Sequence, residues 1–223
     1  MRLVLVGPPG SGKGTQAKLL KKRFDLTYIG TGDVLREAIK RKTPHGLQAE
    51  PFIKRGHLVP DDLVNELVGD LFADESRPTR FVSDGYPRTL AQARWFDQLL
   101  AGINWHVDAV LQFLVTDEEV VRRNCGRLIC PRCGTVYHVT DRAPAIAGKC
   151  DHDGETLVQR PDDSEAVIRD RLTVFHDNTS KLLEYYQQQG LLRPIESVGT
   201  IDEIFERVLS SLPTTSESRA ADI

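Results

Sequence analysis

The residues best suited to chemistry stand near the amino terminus, in the run Gly7-Pro8-Pro9-Gly10-Ser11-Gly12-Lys13-Gly14-Thr15. An apolar stretch precedes this run and a helical pattern follows it, which is the setting of a phosphate-binding loop. Glycines let backbone N–H groups turn toward phosphate oxygens, and the start of the helix adds a positive end. Lys13 adds a mobile cation. The residues predicted to cradle a nucleotide's phosphates are Gly10, Ser11, Gly12, Lys13, Gly14 and Thr15.

Two residues are candidates to bind a Mg²⁺ ion that neutralises those phosphates. Gly14 stands where a Ser or Thr usually follows the lysine, so Thr15 is the candidate hydroxyl. Asp84 ends an apolar run and is the candidate carboxylate, holding the ion directly or through water.

A second cluster of reactive residues lies far along the chain, in Cys130-Pro131-Arg132-Cys133 and Cys150-Asp151-His152-Asp153. Paired ligands two residues apart at each end of a short loop are typical of a closed tetrahedral zinc site. Three cysteines are therefore expected as ligands, with Asp153, His152 and His138 as possible fourth ligands. Cys125 lies outside this pattern and is expected to be a packed thiol.

Composition narrows the classes of protein and of partner. The chain has 223 residues, 40% hydrophobic and 27% charged, with a formal net charge of -3. That charge gives no overall attraction to nucleic acid or to an anionic membrane. No apolar stretch reaches the length of a membrane span, and the first apolar run is too short for a secretion signal. We expect a soluble cytoplasmic protein without nucleic-acid or membrane partners, and with reduced cysteines.

The elements that must position these residues alternate along the chain. Short apolar runs predict strands at 2–6, 27–29, 80–83, 109–114 and 193–195. Helical spacing predicts helices at 13–24, 32–40, 61–72, 89–100, 117–125, 163–188 and 201–212, with Thr116 and Glu119 as a capping box. This alternation predicts an α/β fold, a doubly wound parallel five-stranded sheet with helices on both faces.

Two segments interrupt the alternation and are predicted as insertions over the site. The predicted core is therefore discontinuous, at 1–29, 60–125 and 164–212, with insertions at 30–59 and 126–163. The final residues, 213–223, are rich in Ser and Thr with little to bury, and are predicted to be a disordered tail.

Three further motifs occur in a characteristic order: 28–36 (YIGTGDVLR), 84–89 (DGYPRT) with Gln92, and 160–163 (RPDD) with Arg171. Together with the loop at 7–15, they make the chain similar to the adenylate kinases over 1–212. The resemblance implies a P-loop fold with a nucleoside-monophosphate insertion at 30–59 and a lid at 126–163. It also implies a monomeric enzyme that uses Mg²⁺ and catalyses ATP + AMP = 2 ADP.

The resemblance also assigns roles to individual residues. On the acceptor side, AMP would be bound by Thr31, Arg36, His57, Leu58, Val59, Gly85, Arg88, Gln92, Arg160 and Arg171. On the donor side, ATP would contact the cradle together with Arg123, Arg127, Val136 and Tyr137. The charges expected to act in catalysis are Lys13, Arg88, Arg123, Arg160 and Arg171. These types suit the task, since an arginine fork matches phosphate oxygens and an amide can both donate to and accept from adenine.

For the cysteine cluster, the segment resembles the zinc-bearing lid of one bacterial adenylate kinase class. That resemblance selects Asp153 as fourth ligand of a structural Zn²⁺, completing the set Cys130, Cys133, Cys150 and Asp153. We interpret Asp162 and Asp163 as helix caps and as carboxylates that orient the arginines, since phosphoryl transfer needs little proton chemistry.

Arg171 shares a helical stripe with Val167 and Phe175, so its guanidinium leans inward toward an anion. That anion is a substrate phosphate or, alternatively, Asp84 or Asp163.

Two other functions compete with this one. A sister kinase, such as a GTP:AMP or UMP/CMP phosphotransferase, shares most of the motifs. A zinc-ribbon nucleic-acid module would need a basic metal domain, but Arg132, Arg142 and Lys149 are offset there by acidic residues.

Overall fold

The structure is a computed structural model that describes residues 1–73 and 75–213. The tail predicted at 213–223 lies outside the described residues, apart from Pro213.

Five strands form one parallel sheet: β1 (Arg2–Val6), β2 (Thr27–Gly30), β3 (Phe81–Asp84), β4 (Ala109–Leu114) and β7 (Leu192–Glu196). Their order across the sheet is β2-β3-β1-β4-β7, and every neighbouring pair is parallel. A parallel sheet is covered on both faces, so its strands are apolar along most of their length. This is why the short apolar runs predicted all five strands to within one residue at each end.

The described residues form eight helices: α1 (Lys13–Phe24), α2 (Thr31–Lys40), α3 (Pro44–Lys54), α4 (Asp61–Asp70), α5 (Leu90–Ala101), α6 (Asp117–Cys125), α7 (Glu165–Gln188) and α8 (Ile201–Ser210). Two separate cores show that helices cover both faces. Val4 and Val6 of β1 pack with Phe96 of α5 on one face, whereas Leu3 and Leu5 pack with the side chains of α1 and α8 on the other. The doubly wound α/β prediction is confirmed.

The strand order places the reactive residues at one edge of the sheet. β1 lies between β3 and β4, so the chain winds away from it in both directions, and the crevice at such a switch point binds ligands. The cradle follows β1, Asp84 ends β3, and Ser197 follows β7. These residues therefore converge at the carboxyl ends of the strands.

The two interrupting segments have their own structure. Helices α2 and α3 occupy most of 30–59, and the antiparallel pair β5 (Arg127–Ile129) and β6 (Val136–His138) lies within 126–163. Among the described residues, no helix has the length and apolar character required to cross a bilayer.

Two predictions about helix ends are wrong. Helix α7 begins at Glu165 with Ser164 as its N-cap, so neither Asp162 nor Asp163 caps it. Thr116 accepts a hydrogen bond from the Glu119 backbone, as predicted, but the Glu119 carboxylate binds Arg122 and Arg123 instead of returning to the cap. Arginines one turn along the helix compete for that carboxylate, which leaves only half of a capping box.

Candidate active site

A cleft of about 1420 Å³ opens at the carboxyl edge of the sheet. Its floor is the cradle, and its walls come from α2, α6, α7, the β5-β6 segment and the loop after β7. Lys13, Thr15 and Asp84 all line it. The sheet edge thus brings together residues that are far apart in the sequence.

The backbone of the cradle is held open by glycines. Gly10 and Gly12 have φ angles of 78° and 91°, in the region that favours glycine. A Cβ at Gly10 would lie 2.0 Å from Nδ2 of Asn124, so no side chain fits at that position. The pattern that predicted a phosphate-binding loop therefore has a steric basis here.

Lys13 lies folded against the cradle. Its ammonium donates to the carbonyl oxygens of Gly7 and Pro8, both at 2.7 Å, and to Oγ of Ser11 at 3.2 Å. Burial, opposed by the negative charge of Asp84 and reinforced by the positive charges of Arg88, Arg171 and Arg127, lowers the pKa of Lys13 to about 8. A cation held under such conditions is stabilised when an anion such as a phosphate enters.

The two candidate Mg²⁺ residues line the same part of the cleft. A Cβ at Gly14 would lie 3.1 Å from Oδ2 of Asp84, so glycine lets the carboxylate approach the first turn of α1. The phenol of Tyr28 lies 3.3 Å from the same Asp84 oxygen. A carboxylate and the hydroxyl of Thr15 are oxygen donors of the kind that Mg²⁺ prefers, so these residues fit that ion.

Arg123 and Arg127, on the lid side of the cleft, are each oriented by a carboxylate. Nε of Arg123 donates to Glu119 at 2.6 Å, and Arg127 pairs with fully buried Asp163. Arg123 also donates to the carbonyl oxygen of Ser197 at 2.8 Å. These contacts direct both guanidinium groups along the wall of the cleft beside the cradle.

Arg160 and Arg171 extend the cationic wall toward α2. Arg171 donates to Asp162 at 3.0 Å, and Arg160 lies 3.8 Å from Asp33. The alternative that Arg171 pairs with Asp84 or Asp163 is therefore wrong, because Asp162 lies nearer. Burial, reinforced by neighbouring arginines, lowers the pKa of both Arg160 and Arg171 to about 10. Asp162 and Asp163 thus orient arginines, one of the two roles predicted for them.

A second, smaller pocket of about 60 Å³ adjoins the cleft. Nearly all the residues expected on the acceptor side line it: Thr31, Arg36, His57, Leu58, Val59, Gly85, Arg88, Gln92 and Arg171. Arg160 is the exception and lines the main cleft. Thr31 Oγ1 and Arg88 Nε both donate to the Gly85 carbonyl oxygen, which ties α2 to the loop after β3.

Gln92 lies in the wall of this pocket with its amide engaged inside the protein. Its Oε1 accepts from the Arg88 backbone, and its Nε2 donates to Asp61, both at 2.7 Å. The side chain is 2% exposed. These two bonds fix the orientation of the amide and leave one N–H and one lone pair of Oε1 for the expected contact with adenine.

On the donor side, the lid residues Val136 and Tyr137 line the cleft, but they differ in what they offer it. Tyr137 is buried, and its hydroxyl donates to or accepts from Cys150 Sγ at 3.5 Å and accepts from the Asp151 backbone at 2.8 Å. Its hydroxyl is therefore engaged in the interior of the lid.

The four residues of the predicted zinc set converge. One potential ligand atom from each of Cys130, Cys133, Cys150 and Asp153 lies within 4.8 Å of all the others, the sole such group that the described part of the chain forms. Cys133 Sγ and Cys150 Sγ are 3.6 Å apart, and Cys130 Sγ is 3.4 Å from both Asp153 oxygens. Three thiols and one carboxylate at these separations fit a tetrahedral zinc ion.

The two alternative fourth ligands lie elsewhere. Nδ1 of His138 accepts hydrogen bonds from the backbone of Thr140 and Asp141, and its Nε2 lies 3.3 Å from the Arg122 carbonyl oxygen. His152 lines the main cleft. The prediction that Cys125 is a packed thiol is wrong, since this last residue of α6 is exposed.

Several residues of the cleft had no signal strong enough to predict them. Val198, in the loop after β7, and Ile201, the first residue of α8, are 56% and 38% exposed and present apolar surface to the cleft. Asn124 and Ser197 contact the cradle from outside it. The sequence indicated only that this loop follows a predicted strand and therefore lies at the carboxyl edge of the sheet.

The fold and site together define a class of enzyme. A P-loop at the switch point of a parallel sheet, a second pocket bearing Arg36 and Arg88, and converging arginines between them define a nucleoside monophosphate kinase, a phosphotransferase with a donor and an acceptor site.

Comparisons with known proteins specify the family. The adenylate kinase family model matches residues 5–191. The chain is 46% identical over 204 residues to an adenylate kinase of Moorella thermoacetica, covering 92% of this chain and 94% of the relative. It is 42% identical over 212 residues to one of Clostridium botulinum, covering 95% and 98%, and 43% identical over 215 residues to one of Geotalea uraniireducens, covering 96% and 99%. The chain belongs to the adenylate kinase family.

The activity follows from this membership. The enzyme interconverts adenine nucleotides by the reaction ATP + AMP = 2 ADP. Among the sister kinases considered from the sequence, the names of these relatives select adenylate kinase.

Proposed function

We propose that the donor ATP is held by the cradle and that AMP is held in the small pocket, so that the phosphoryl group passes between them along the cleft. The observation that carries this proposal is the closeness of the two cation sets. Arg88 and Arg171 line both the acceptor pocket and the main cleft that Lys13 lines, and their positive charges help to lower the pKa of Lys13. A phosphoryl group in this shared cleft would lie in the field of all three cations.

Catalysis in this proposal rests on position and charge. Lys13, Arg88, Arg123, Arg160 and Arg171 neutralise the charge on the transferred group. Carboxylates hold the guanidinium groups of Arg123, Arg160 and Arg171 before substrate binds, and the Gly85 carbonyl oxygen holds that of Arg88. Arg127, Val136 and Tyr137 complete the donor site. No side chain needs to act as a general base, because the attacking phosphate oxygen is already ionised.

We assign Mg²⁺ to Thr15 and Asp84 and a structural Zn²⁺ to the four lid ligands. When bound with the nucleotide, Mg²⁺ would neutralise charge on the phosphates. Zinc would serve the lid because its own core is small, with Cys130, Tyr137, Cys150 and Leu157 as its buried cluster. Coordination then contributes folding free energy that so few apolar side chains cannot supply.

The movable parts in this proposal are the acceptor insertion, 30–59, and the lid, 126–163, both attached to the core, 1–29, 60–125 and 164–212. Arg160 and Asp162 already lie near Asp33 and Arg36 of the other insertion. Closure of the lid would exclude water, so that AMP receives the phosphoryl group.

We also propose that the enzyme works as a monomer in the cytoplasm, without nucleic-acid or membrane partners. The net charge of -3 supports this, since it provides no attraction to either polyanion.

The test compares two lysines of α1. Lys13→Ala should lower kcat by about 100- to 1000-fold or more, the scale of removing one preorganised charge from a transition state. Lys21→Ala, an exposed lysine of the last turn of the same helix, is the matched control and should retain normal kcat. Stopped-flow or coupled assays in both directions measure the effect. Normal turnover by folded Lys13→Ala protein would remove the cradle from the mechanism.

A further inference from the structure

Two side chains hold the cradle from outside the cleft. Nδ2 of Asn124, in the last turn of α6, donates to the Pro9 carbonyl oxygen at 3.2 Å. Oγ of Ser197, directly after β7, donates to the Ser11 carbonyl oxygen at 2.5 Å. Both side chains are 0% exposed. Neither residue belongs to the motif that identifies the cradle.

These contacts determine the direction of two backbone N–H groups. In a planar trans peptide, the carbonyl oxygen and the following N–H point in opposite directions. Holding the Pro9 oxygen outward therefore aims the N–H of Gly10 inward, and holding the Ser11 oxygen outward does the same for the N–H of Gly12. Glycine itself imposes no such direction, because its backbone is the least restricted of any residue.

Asn124 is a poor choice for stability alone. Its Nδ2 also donates to the Val120 carbonyl oxygen at 2.8 Å, but within the described residues its Oδ1 has no hydrogen-bond partner. A buried amide oxygen left unpaired is unfavourable, whereas leucine has nearly the same shape and no such atom. The benefit that offsets this unfavourable oxygen must come from the hydrogen bonds of Nδ2, one of which holds the Pro9 carbonyl oxygen.

The space around Gly10 and Gly12 also indicates that Asn124 and Ser197 pack against the cradle. A Cβ at Gly10 would lie 2.0 Å from Asn124 Nδ2, and a Cβ at Gly12 would lie 3.7 Å from Ser197 Oγ. Asn124 therefore excludes any side chain at Gly10, while Ser197 lies at ordinary contact distance from Gly12.

We propose that Asn124 and Ser197 are positioning residues for the donor phosphates, each aiming one cradle N–H at them. This inference rests on the proposed assignment of the cradle to ATP. It also gives the cradle a direct connection to the helix from which the lid segment leaves, since α6 ends at Cys125 and β5 begins at Arg127.

The experiment measures KM for ATP and for AMP separately in Asn124→Leu and Ser197→Ala, together with Tm. Each variant loses one contact to the cradle backbone, and Asn124→Leu also loses the bond to the Val120 carbonyl oxygen within α6. KM for ATP should rise about 5-fold, the effect of one ordinary hydrogen bond, while KM for AMP stays within about 2-fold. Asn124→Leu removes the unpaired Oδ1 but leaves the Pro9 carbonyl oxygen without this donor, so the two effects oppose each other and Tm should stay within about 4 °C of normal.

Asn65→Leu is the matched control for a buried asparagine. Its Oδ1 accepts from the Tyr86 hydroxyl at 2.7 Å, away from the cradle. This variant should lower Tm without a selective rise in KM for ATP, which is what a purely structural role produces.

The outcomes separate this inference from the proposed function. If KM for ATP stays within about 2-fold of normal in both variants, or if both KM values rise together with a fall in Tm, the positioning role is overturned. Either result leaves the cradle assignment in place as long as Lys13→Ala loses turnover. Should Lys13→Ala remain active, the cradle assignment fails first, and the inference fails with it.

Discussion

Individual charges in the cleft differ in how they are held. Arg123, Arg127 and Arg171 each contact a carboxylate, whereas the hydrogen bonds of Lys13 among the described residues all go to neutral oxygen atoms. Local spacing was enough to predict Lys13, because the lysine of a phosphate-binding loop has a set place among its glycines. The carboxylate that pairs with Arg171 was predicted wrongly as Asp84 or Asp163, because the loop path before α7, which brings Asp162 nearer, cannot be read from spacing. The substrate phosphate stays a prediction.

The charge of Lys13 should control the alkaline limb of activity. Its pKa is lowered from the usual value near 10.5 to about 8, so the ammonium is lost as the pH rises through about 8. Because kcat/KM reports the free enzyme, kcat/KM for ATP should fall about tenfold per pH unit above that pH. The arginine in Lys13→Arg keeps its charge above that pH, so kcat/KM of this variant should not show the fall, whatever its absolute rate. The same limb in both proteins would assign the titration to another group.

Helix ends show how local signals compete within an element. The pairs Thr116 with Glu119 and Thr200 with Glu203 both have the spacing of a capping box, yet only the second forms one. At α8 the Glu203 carboxylate returns to the Thr200 backbone at 2.7 Å. At α6 the two arginines that follow Glu119 take its carboxylate and lower its pKa to about 2. The Thr116 pattern located the start of α6, but spacing alone could not show which of two hydrogen bonds the Glu119 carboxylate makes.

Thr200→Ala should therefore lower the free energy of unfolding by about 1 kcal/mol, the typical loss for an N-cap. For a domain of this size, that corresponds to a fall in Tm of about 2–4 °C. Ser164→Ala is the control, because the described structure gives the Ser164 side chain no capping bond at α7. Thermal unfolding followed by circular dichroism measures both. Equal losses in the two variants would contradict the capping argument.

At the scale of the whole molecule, the two large cores and the lid differ in how they are stabilised. The sheet is covered on both faces by large apolar clusters, while the lid has a small one beside its four potential metal ligands. Composition alone predicted this contrast, since the segment 126–163 is rich in polar residues. We accordingly expect the metal to matter for the lid and little for the sheet.

Metal analysis should find about one zinc per chain, as a single closed tetrahedral site requires. Asp153→Ala should reduce zinc affinity at least about tenfold, and proteolysis should then cut within 126–163 while the core resists. Asp151→Ala, an exposed neighbour outside the ligand group, is the control and should retain zinc. Chelated protein with normal turnover and unchanged proteolysis would show that zinc does not support the lid.

The sequence by itself determined the parts of this protein that depend on near neighbours. The strands, most helix bounds, the phosphate-binding loop and the spacing of the thiols are local patterns, and the family resemblance used the same local motifs. Only the tertiary structure decided which carboxylate holds which arginine, that Gln92 is already engaged, and that Asn124 and Ser197 contact the cradle. These are contacts between residues up to 186 positions apart, and their partners are chosen by how the sheet and its loops bring the chain together.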